Sequence, residues 1–196
     1  MKTIKKSLLA VFMLTVFMGH ATLSTPTMVH VNLKKTTLQL NNVKPGQKLV
    51  MKDQKGQVLY REPIEQSGVY SRDFDLSSLP SGEYSFELDQ GFAILIVPFN
   101  VLNSTIVFQE QKKKLIIKPI ISIEKNKVKI GRSPLTDAPI KVRIYFESEP
   151  TEIIYRDEIE PAKKGFRTYT LQQDVSGQYR VVYESEGRVY TKQFKI

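Results

Sequence analysis

The sequence repeats itself, and this repeat constrains the possible folds more than any other feature. Displaced by 95 residues, segment 60–101 aligns with 155–196 without a gap, and ten of its 42 positions are identical. Composition alone would give about two or three identities over that length. The identical pairs are Tyr60/Tyr155, Arg61/Arg156, Ile64/Ile159, Glu65/Glu160, Arg72/Arg167, Leu76/Leu171, Ser81/Ser176, Gly82/Gly177, Tyr84/Tyr179 and Phe99/Phe194. Two copies of one small domain therefore make up most of the chain.

Upstream of Tyr60, the alignment continues with small changes of displacement, as expected where loops gain or lose residues. A displacement of 93 pairs Leu49 and Met51 with Val142 and Ile144, and one of 90 pairs Leu33, Leu38 and Leu40 with Ile123, Val128 and Ile130. We predict that domain 1 spans residues 28–102 and that domain 2 spans residues 103–196. Each is long enough for one small sandwich.

Apolar and polar residues alternate at period two through most of each copy, which predicts strands with one face in a core and one in water. Tyr84, Phe86 and Leu88 follow this pattern, and Asp53-Gln54-Lys55-Gly56 has the composition of a hairpin turn. No helical period persists for three turns after the N-terminal segment. The predicted fold class is all-β: two tandem immunoglobulin-like antiparallel β-sandwich domains after a signal peptide.

The segment from Leu76 to Tyr84 indicates the topology within each copy. It places Leu and Pro before a Ser-Gly turn and a Tyr at the start of the next strand, and Gly177-Gln178-Tyr179 repeats the last part. This arrangement is typical of the corner of Greek-key sandwiches, where the Tyr hydroxyl bonds back to the preceding loop. The alternative is that these tyrosines form an aromatic platform for sugar rings.

One strand breaks the alternation. Residues 92–97 read FAILIV, whereas residues 188–193 in the second copy read RVYTKQ. Because a sandwich strand places only one face in its own core, Phe92, Ile94 and Ile96 need another cover, and we predict that they form an interface. The cover is the junction with the second copy, the preceding linker strand, or a separate partner. Pro98 is interpreted as a guard against further edge pairing.

The first 21 residues have the pattern of a secretory signal peptide. Lys2, Lys5 and Lys6 precede a short apolar run that ends at Gly19-His20-Ala21, and we predict cleavage after Ala21. The alternative is an uncleaved N-terminal anchor, although the run is shorter than a spanning helix needs. Export predicts a periplasmic or extracellular location, where a chain with no Cys holds together by packing alone.

The net charge of +9 falls to +6 without the three signal lysines. A surplus of this size favours anionic partners without defining a site. The clearest cluster, Lys112-Lys113-Lys114, is interpreted as a solvated loop.

The segments DLSSLPSGEYSFELDQG, KLVMKDQKGQVLY and GQYRVVYESEGRVYTKQFKI resemble a known group of secreted proteins. The chain looks like the Bacteroidetes-type secreted immunoglobulin-like domains of unknown function, and it is similar to the type IX secretion C-terminal sorting domain. The resemblance covers both copies and implies a location in the envelope or at the cell surface. It implies no catalytic residues, and the Asn-Pro element with which sorting domains tend to open does not occur here.

A search of the sequence for catalytic chemistry gives little. His30 is the single histidine after the predicted cleavage point and there is no Cys, so the usual nucleophile dyads and zinc sites cannot be assembled. Ser122 and Lys125 match the Ser-x-x-Lys spacing without its helix or companion motifs. The repeated arginines, at 61/156 and 72/167, are predicted to form ion pairs with nearby acids at 62, 65, 157 and 160.

We therefore predict an exported, non-enzymatic structural or recognition protein of the bacterial envelope. The prediction includes no cofactor, no metal and no nucleic acid; the partner is an unidentified protein or glycan, and the chain is not an integral membrane protein after cleavage. One alternative is a secretion-sorting module. A second is a glycan hydrolase with a carboxylate pair, for which Glu65 and Glu160 are the candidates.

Overall fold

The structure is a computed structural model, and it describes residues 31–32, 35–103, 105–162, 165–172 and 175–196. The predicted signal peptide and His30 lie outside these residues. The described part forms sixteen strands and one short 3-10 helix, Glu110–Lys112. The strands are β1 (Val31–Asn32), β2 (Lys35–Val43), β3 (Lys48–Asp53), β4 (Val58–Pro63), β5 (Gly68–Phe74), β6 (Gly82–Asp89), β7 (Ala93–Leu102), β8 (Thr105–Phe108), β9 (Lys114–Ile117), β10 (Ile120–Glu124), β11 (Lys127–Gly131), β12 (Ile140–Phe146), β13 (Glu152–Ile159), β14 (Phe166–Thr170), β15 (Gln178–Ser185) and β16 (Arg188–Lys195).

Each domain consists of two antiparallel sheets. In domain 1, one sheet has the order β1-β2-β5 and the other the order β4-β3-β6-β7. In domain 2 the orders are β10-β11-β14 and β13-β12-β15-β16. Lettered in chain order, both domains pair strands A, B and E in one sheet and C′, C, F and G in the other, which is an immunoglobulin-like arrangement. The predicted all-β fold of two tandem sandwiches is confirmed.

Each sandwich encloses its own core between its two sheets. Alternate side chains of β2 and β5 meet alternate side chains of β3, β6 and β7 in domain 1, because successive residues of a strand point to opposite faces. The largest fully buried side chains of this core include Leu38, Leu49, Phe86 and Phe99. The second core is built in the same way, around Val128, Ile130, Val142, Ile144 and Val181.

The tyrosine corners are present in both domains, as predicted. The Tyr84 hydroxyl donates to the Pro80 carbonyl oxygen at 2.9 Å, and the Tyr179 hydroxyl donates to the Val175 carbonyl oxygen at 2.9 Å. Each ring stacks on the phenylalanine of the following strand, with centroids 5.5 Å apart in domain 1 and 5.6 Å in domain 2. The two tyrosines therefore have equivalent surroundings in a structural corner.

Strand register corrects the displacement predicted for the first strands. Leu38 lies opposite Arg72 in domain 1, and Ile130 lies opposite the equivalent Arg167 in domain 2. The displacement is therefore 92 residues rather than 90, and Val31 rather than Leu33 is the equivalent of Ile123. Sequence comparison missed this difference because a slip of two residues keeps every side chain on the same face.

Residues 105–117 belong to the sheet of domain 1, which corrects the predicted boundary after Leu102. Strand β8 pairs with the second half of β7, and β9 pairs with its first half. The chain between β8 and β9 leaves the sheet as the 3-10 helix. The boundary predicted from the repeat alone falls inside the β7–β8 hairpin, because these linker strands lie between the two aligned segments.

Pro98 does not guard an edge, since β7 pairs with β6 on one side and with β8 and β9 on the other. The Gln109 N–H donates to the Pro98 carbonyl oxygen at 2.9 Å. The N–H and C=O of one residue in a strand point to the same neighbour, so an N–H at position 98 would point to the side where the chain leaves the sheet. Proline therefore removes no bond to β6.

Candidate interface between the two domains

The apolar segment 92–97 contributes both to the core and to the outer face of the sheet. Its odd-numbered residues continue into the core face of β7, whereas Ile94 and Ile96 point outward. Ile94 is nevertheless only 8% exposed, and it lies opposite Ile116 of β9. Ile96 is partly buried, and Phe92, in the turn before β7, is 61% exposed. The structure thus separates the three predicted interface residues into a covered pair and an exposed phenylalanine.

Ile96 lies between two side chains that bind domain 2. In the register it stands opposite Glu87 on β6 and opposite Lys114 on β9. Glu87 binds Arg188, and Lys114 Nζ lies 2.8 Å from Glu186 Oε2. These contacts bring the β15–β16 turn of domain 2 to the two residues that flank Ile96.

Glu87 is the centre of the junction and is only 5% exposed. Arg188 Nη1 donates to Glu87 Oε2 at 2.8 Å and Arg188 Nη2 donates to Glu87 Oε1 at 2.6 Å, while Lys52 Nζ donates to Oε2 at 2.8 Å. Burial raises the pKa of Glu87, but the hydrogen bonds and charges of Arg188 and Lys52 outweigh it and hold the pKa below its usual value. The carboxylate is therefore ionised and bound by cations from both domains.

The turn that carries Arg188 has the geometry that its sequence requires. Glu186 and Gly187 have φ angles of 49° and 69°, the positive values needed at both central residues of a two-residue type I′ hairpin. Glu186 also accepts a hydrogen bond from Thr136 Oγ1 at 3.1 Å. Lys114 and Thr136 thus hold Glu186 while Arg188, at the start of β16, reaches Glu87.

Two of the four repeated arginines form the predicted ion pairs. Arg72 binds Glu62, which also accepts the Tyr60 hydroxyl, and Arg167 Nε lies 3.0 Å from Asp157 Oδ2. Burial and the Glu62 hydrogen bond raise the pKa of Tyr60 to about 12. Both acids lie on the C′ strand and both arginines on the E strand, so these pairs connect the two sheets of each domain.

The other two repeated arginines differ from the prediction. Within the described residues, neither Arg61 nor Arg156 forms an ion pair. The lysine cluster also differs from a solvated loop, because Lys113 pairs with Glu110 and Lys114 binds Glu186 across the junction.

The remaining candidate residues are placed at separate positions. Glu65 and Glu160, the candidates for a hydrolase pair, are exposed and follow the equivalent strands β4 and β13 in different domains. Among the described residues, no group of three or more His, Cys, Asp or Glu side chains has metal-binding geometry, and no helix there is long and apolar enough to cross a membrane.

Glu87 and Arg188 are the functional residues that sequence reasoning missed. An acid in an alternating strand has the pattern of a solvent-facing residue, and an arginine after a glycine turn is equally ordinary. One sequence feature could have identified Glu87. It lies on the F strand, just before FAILIV, the one segment that breaks the alternation. The pairing of β6 with β7 places Glu87 directly opposite Ile96 of that segment.

Comparison with known proteins provides only distant similarity. No protein-family description matches the sequence, and no curated protein matches it. The biofilm associated protein BSP domain is 9% identical, with 87% of this chain and 29% of that chain covered and a TM-score of 0.27. The human OSCAR ligand-binding domain is 9% identical, with coverages of 83% and 89% and a TM-score of 0.26. The chicken CNTN1 FN1–FN3 domains are 12% identical, with coverages of 87% and 66% and a TM-score of 0.28.

This chain therefore spans 29% of the first of these structures and 66% of the third. Similarity at these TM-scores carries no argument about fold or function. The assignment rests instead on the strand orders and the two tyrosine corners. On that evidence, the described chain consists of two tandem immunoglobulin-like β-sandwich domains.

Proposed function

We propose that this chain is an exported, non-enzymatic structural or recognition protein of the bacterial envelope whose two domains are held in one mutual orientation. The observation that carries the proposal is the buried Glu87 carboxylate, which binds Arg188 of domain 2 through two parallel hydrogen bonds. Bidentate pairs of this kind restrict orientation as well as distance. A pair of domains joined only by a flexible linker would leave this carboxylate in water.

A fixed orientation suits a protein that acts through its surfaces. The second junction contact, Lys114 with Glu186, starts from β9, on the other side of β7 from Glu87, so rotation about the Glu87–Arg188 pair would break it. Export is supported by the signal-peptide pattern of residues 1–21. The envelope location is supported by that pattern together with the resemblance to Bacteroidetes-type secreted immunoglobulin-like domains.

Spin-label distance measurements test the fixed orientation. The chain has no Cys, so Val58→Cys in domain 1 and Ile153→Cys in domain 2, both at exposed positions, give one unique pair of labels. We expect a narrow distance distribution that becomes broad in Arg188→Ala. Arg72→Ala is the matched control, because it removes an ion pair that lies within domain 1. A broad distribution in the unaltered chain would contradict the proposal.

Fractionation of cells that express the full chain tests export. We expect the protein outside the cytoplasm with Thr22 as its first residue. A cytoplasmic protein that retains residues 1–21 would contradict an envelope role. Turnover of any member of a glycan panel, lost in Glu65→Gln or Glu160→Gln without loss of thermal stability, would favour the hydrolase alternative instead.

A further inference from the structure

Two arginines stand side by side on the outer face of domain 2. Arg143 of β12 lies directly opposite Arg156 of β13, and side chains in this position have Cβ atoms only about 5 Å apart. In the part of the chain that the structure describes, neither arginine belongs to an ion pair. Like charges at directly opposite positions reduce stability, so this pair requires another explanation.

The equivalent residues of domain 1, which form one row across neighbouring strands, carry different charges. There Arg61 lies opposite Val50, and Val50 lies opposite Glu87. In domain 2, Arg143 replaces the valine, and Val182 stands where domain 1 has Glu87. The second copy therefore has one more cation and one fewer anion in this row. Since the two domains share strand order and register here, the difference concerns side chains alone.

Both arginines line a surface cavity of about 610 Å³, within the range of cavities that bind small ligands. Three acids also line it. Asp157 is already occupied by Arg167 and Tyr169. Glu158 and Glu184 lie in the adjacent row, on either side of Lys141. The cavity thus has a row of two unpaired guanidinium groups beside a row that ends in two carboxylates.

We propose that this cavity binds an acidic glycan. The two guanidinium groups would bind a carboxylate or other oxyanion substituent, since their planar donor arrays match such groups in a bidentate manner. Carboxylates only accept hydrogen bonds, so Glu158 and Glu184 are placed to accept from the hydroxyl groups of the same or the next sugar. A phosphodiester group itself offers only acceptors, whereas a sugar acid carries hydroxyl donors next to its carboxylate, which Glu158 and Glu184 can accept.

This inference rests on the recognition form of the proposed function and names its ligand class. The test uses the mature chain and two oligosaccharides of equal length, a galacturonate oligomer and a neutral malto-oligosaccharide, with affinity measured by titration calorimetry. We expect saturable binding of the galacturonate oligomer only. Arg143→Val, which reproduces the valine of domain 1, is expected to weaken it about tenfold or more, as loss of charge-assisted hydrogen bonds does.

Arg61→Ala is the matched control, because it removes the domain 1 equivalent of Arg156 and the same net charge as Arg143→Val. It is expected to leave the affinity unchanged. Glu184→Gln is expected to weaken galacturonate binding, since an amide is a poorer acceptor than a carboxylate. Equal weakening by Arg61→Ala and Arg143→Val would show general charge attraction and would overturn the proposal, as would the absence of saturable binding.

A third arm measures retention on vesicles that contain phosphatidylglycerol. Retention that depends on Arg143, in the absence of galacturonate binding, would overturn the glycan assignment in favour of a lipid headgroup. The spin-label distances between domains are expected to be independent of Arg143, which takes no part in the junction ion pairs. A chain that keeps its narrow distance distribution but binds no acidic oligosaccharide would refute this inference alone, whereas a broad distribution would refute the proposed fixed orientation.

Discussion

The last strands of the two domains, β7 and β16, occupy the same place in the fold but have different sequences. Strand β7 is apolar on both faces through its first half, and it pairs with β6 on one edge and with β8 and β9 on the other. Strand β16 alternates, carries two lysines, and among the described strands pairs with β15 alone. The comparison shows that a strand needs one apolar face to pack in its own sandwich, and that a second apolar face depends on what lies outside that sandwich.

The surroundings account for the difference. On the outer face of β7, Ile94 is 8% exposed, whereas its equivalent in β16, Val189, is 63% exposed. Buried apolar area stabilises a fold by about 25 cal/mol per Å², so a covered face favours apolar residues. An exposed edge strand instead favours charged residues such as lysine, which discourage pairing with other chains.

The largest expected effect comes from placing a charge on this face in each domain. Ile94→Asp is expected to lower the free energy of unfolding by about 3 kcal/mol or more, because it buries an unpaired carboxylate. Val189→Asp is expected to change it by less than about 0.5 kcal/mol, as at other exposed positions. Urea denaturation measures both. Similar losses of unfolding free energy in the two variants would contradict the conclusion that the outer face is buried in β7 and exposed in β16.

The next effect concerns the ion pair between Glu87 of domain 1 and Arg188 of domain 2. Arg188→Ala leaves Glu87 buried without its main partner, and we expect a loss of about 2–3 kcal/mol in the free energy of unfolding. The double variant Glu87→Val/Arg188→Leu, with the valine that domain 2 has at this position, is expected to lose less than about 1 kcal/mol. Chemical denaturation compares the two.

Arg72→Ala provides the control for that comparison, since the side chain of Arg72 is half exposed in its pair with Glu62. Exposed pairs contribute about 0–1 kcal/mol. If Arg188→Ala lowered the free energy of unfolding no more than Arg72→Ala does, the junction pair would contribute no more than an exposed ion pair.

A smaller effect should be the same in both domains. Tyr84→Phe and Tyr179→Phe each remove one hydroxyl bond to a backbone carbonyl, at 2.9 Å in both cases. We expect each variant to lose about 1 kcal/mol. Thermal unfolding of the two variants checks this, and a loss confined to one of them would show that the corners are not energetically equivalent.

The smallest expected effect is the pH dependence due to Glu87. Its pKa in the folded chain lies below its usual value of 4.5, so its contribution to stability is complete above pH 4.5 and is lost as the pH falls through the folded pKa. The difference in unfolding free energy between the native chain and Glu87→Gln is therefore expected to shrink on acidification. A difference that grew at low pH would show that folding raises the pKa of Glu87 instead of lowering it.

Much of each domain could be predicted from sequence because the information is local. Alternation in β6 and β15 indicates which face meets a core, and the Ser-Gly turn before Tyr84 and Tyr179 indicates the corner. The pairing of Arg72 with Glu62 was also predictable, because both copies keep an arginine and an acid at this spacing. These features occur in both copies of the domain, so each copy supports the prediction made from the other.

The features that sequence reasoning missed depend on contacts with no counterpart in the other copy. Strands β8 and β9 lie between the two aligned segments, so the repeat could not identify them and the predicted boundary fell before them. Glu87 and Arg188 are about one domain apart in the chain, and each alone has the pattern of a solvent-facing residue. No local periodicity connects such a pair.

The sequence by itself determined that this chain forms two similar antiparallel sandwiches with tyrosine corners, because side-chain alternation and turn chemistry act within a few residues. The tertiary structure alone decided which outer face is covered and which is left exposed, and hence why β7 is apolar and β16 is not. Burial of an outer face depends on where the next domain docks, and docking is set by distant residues that meet only after both sandwiches have formed.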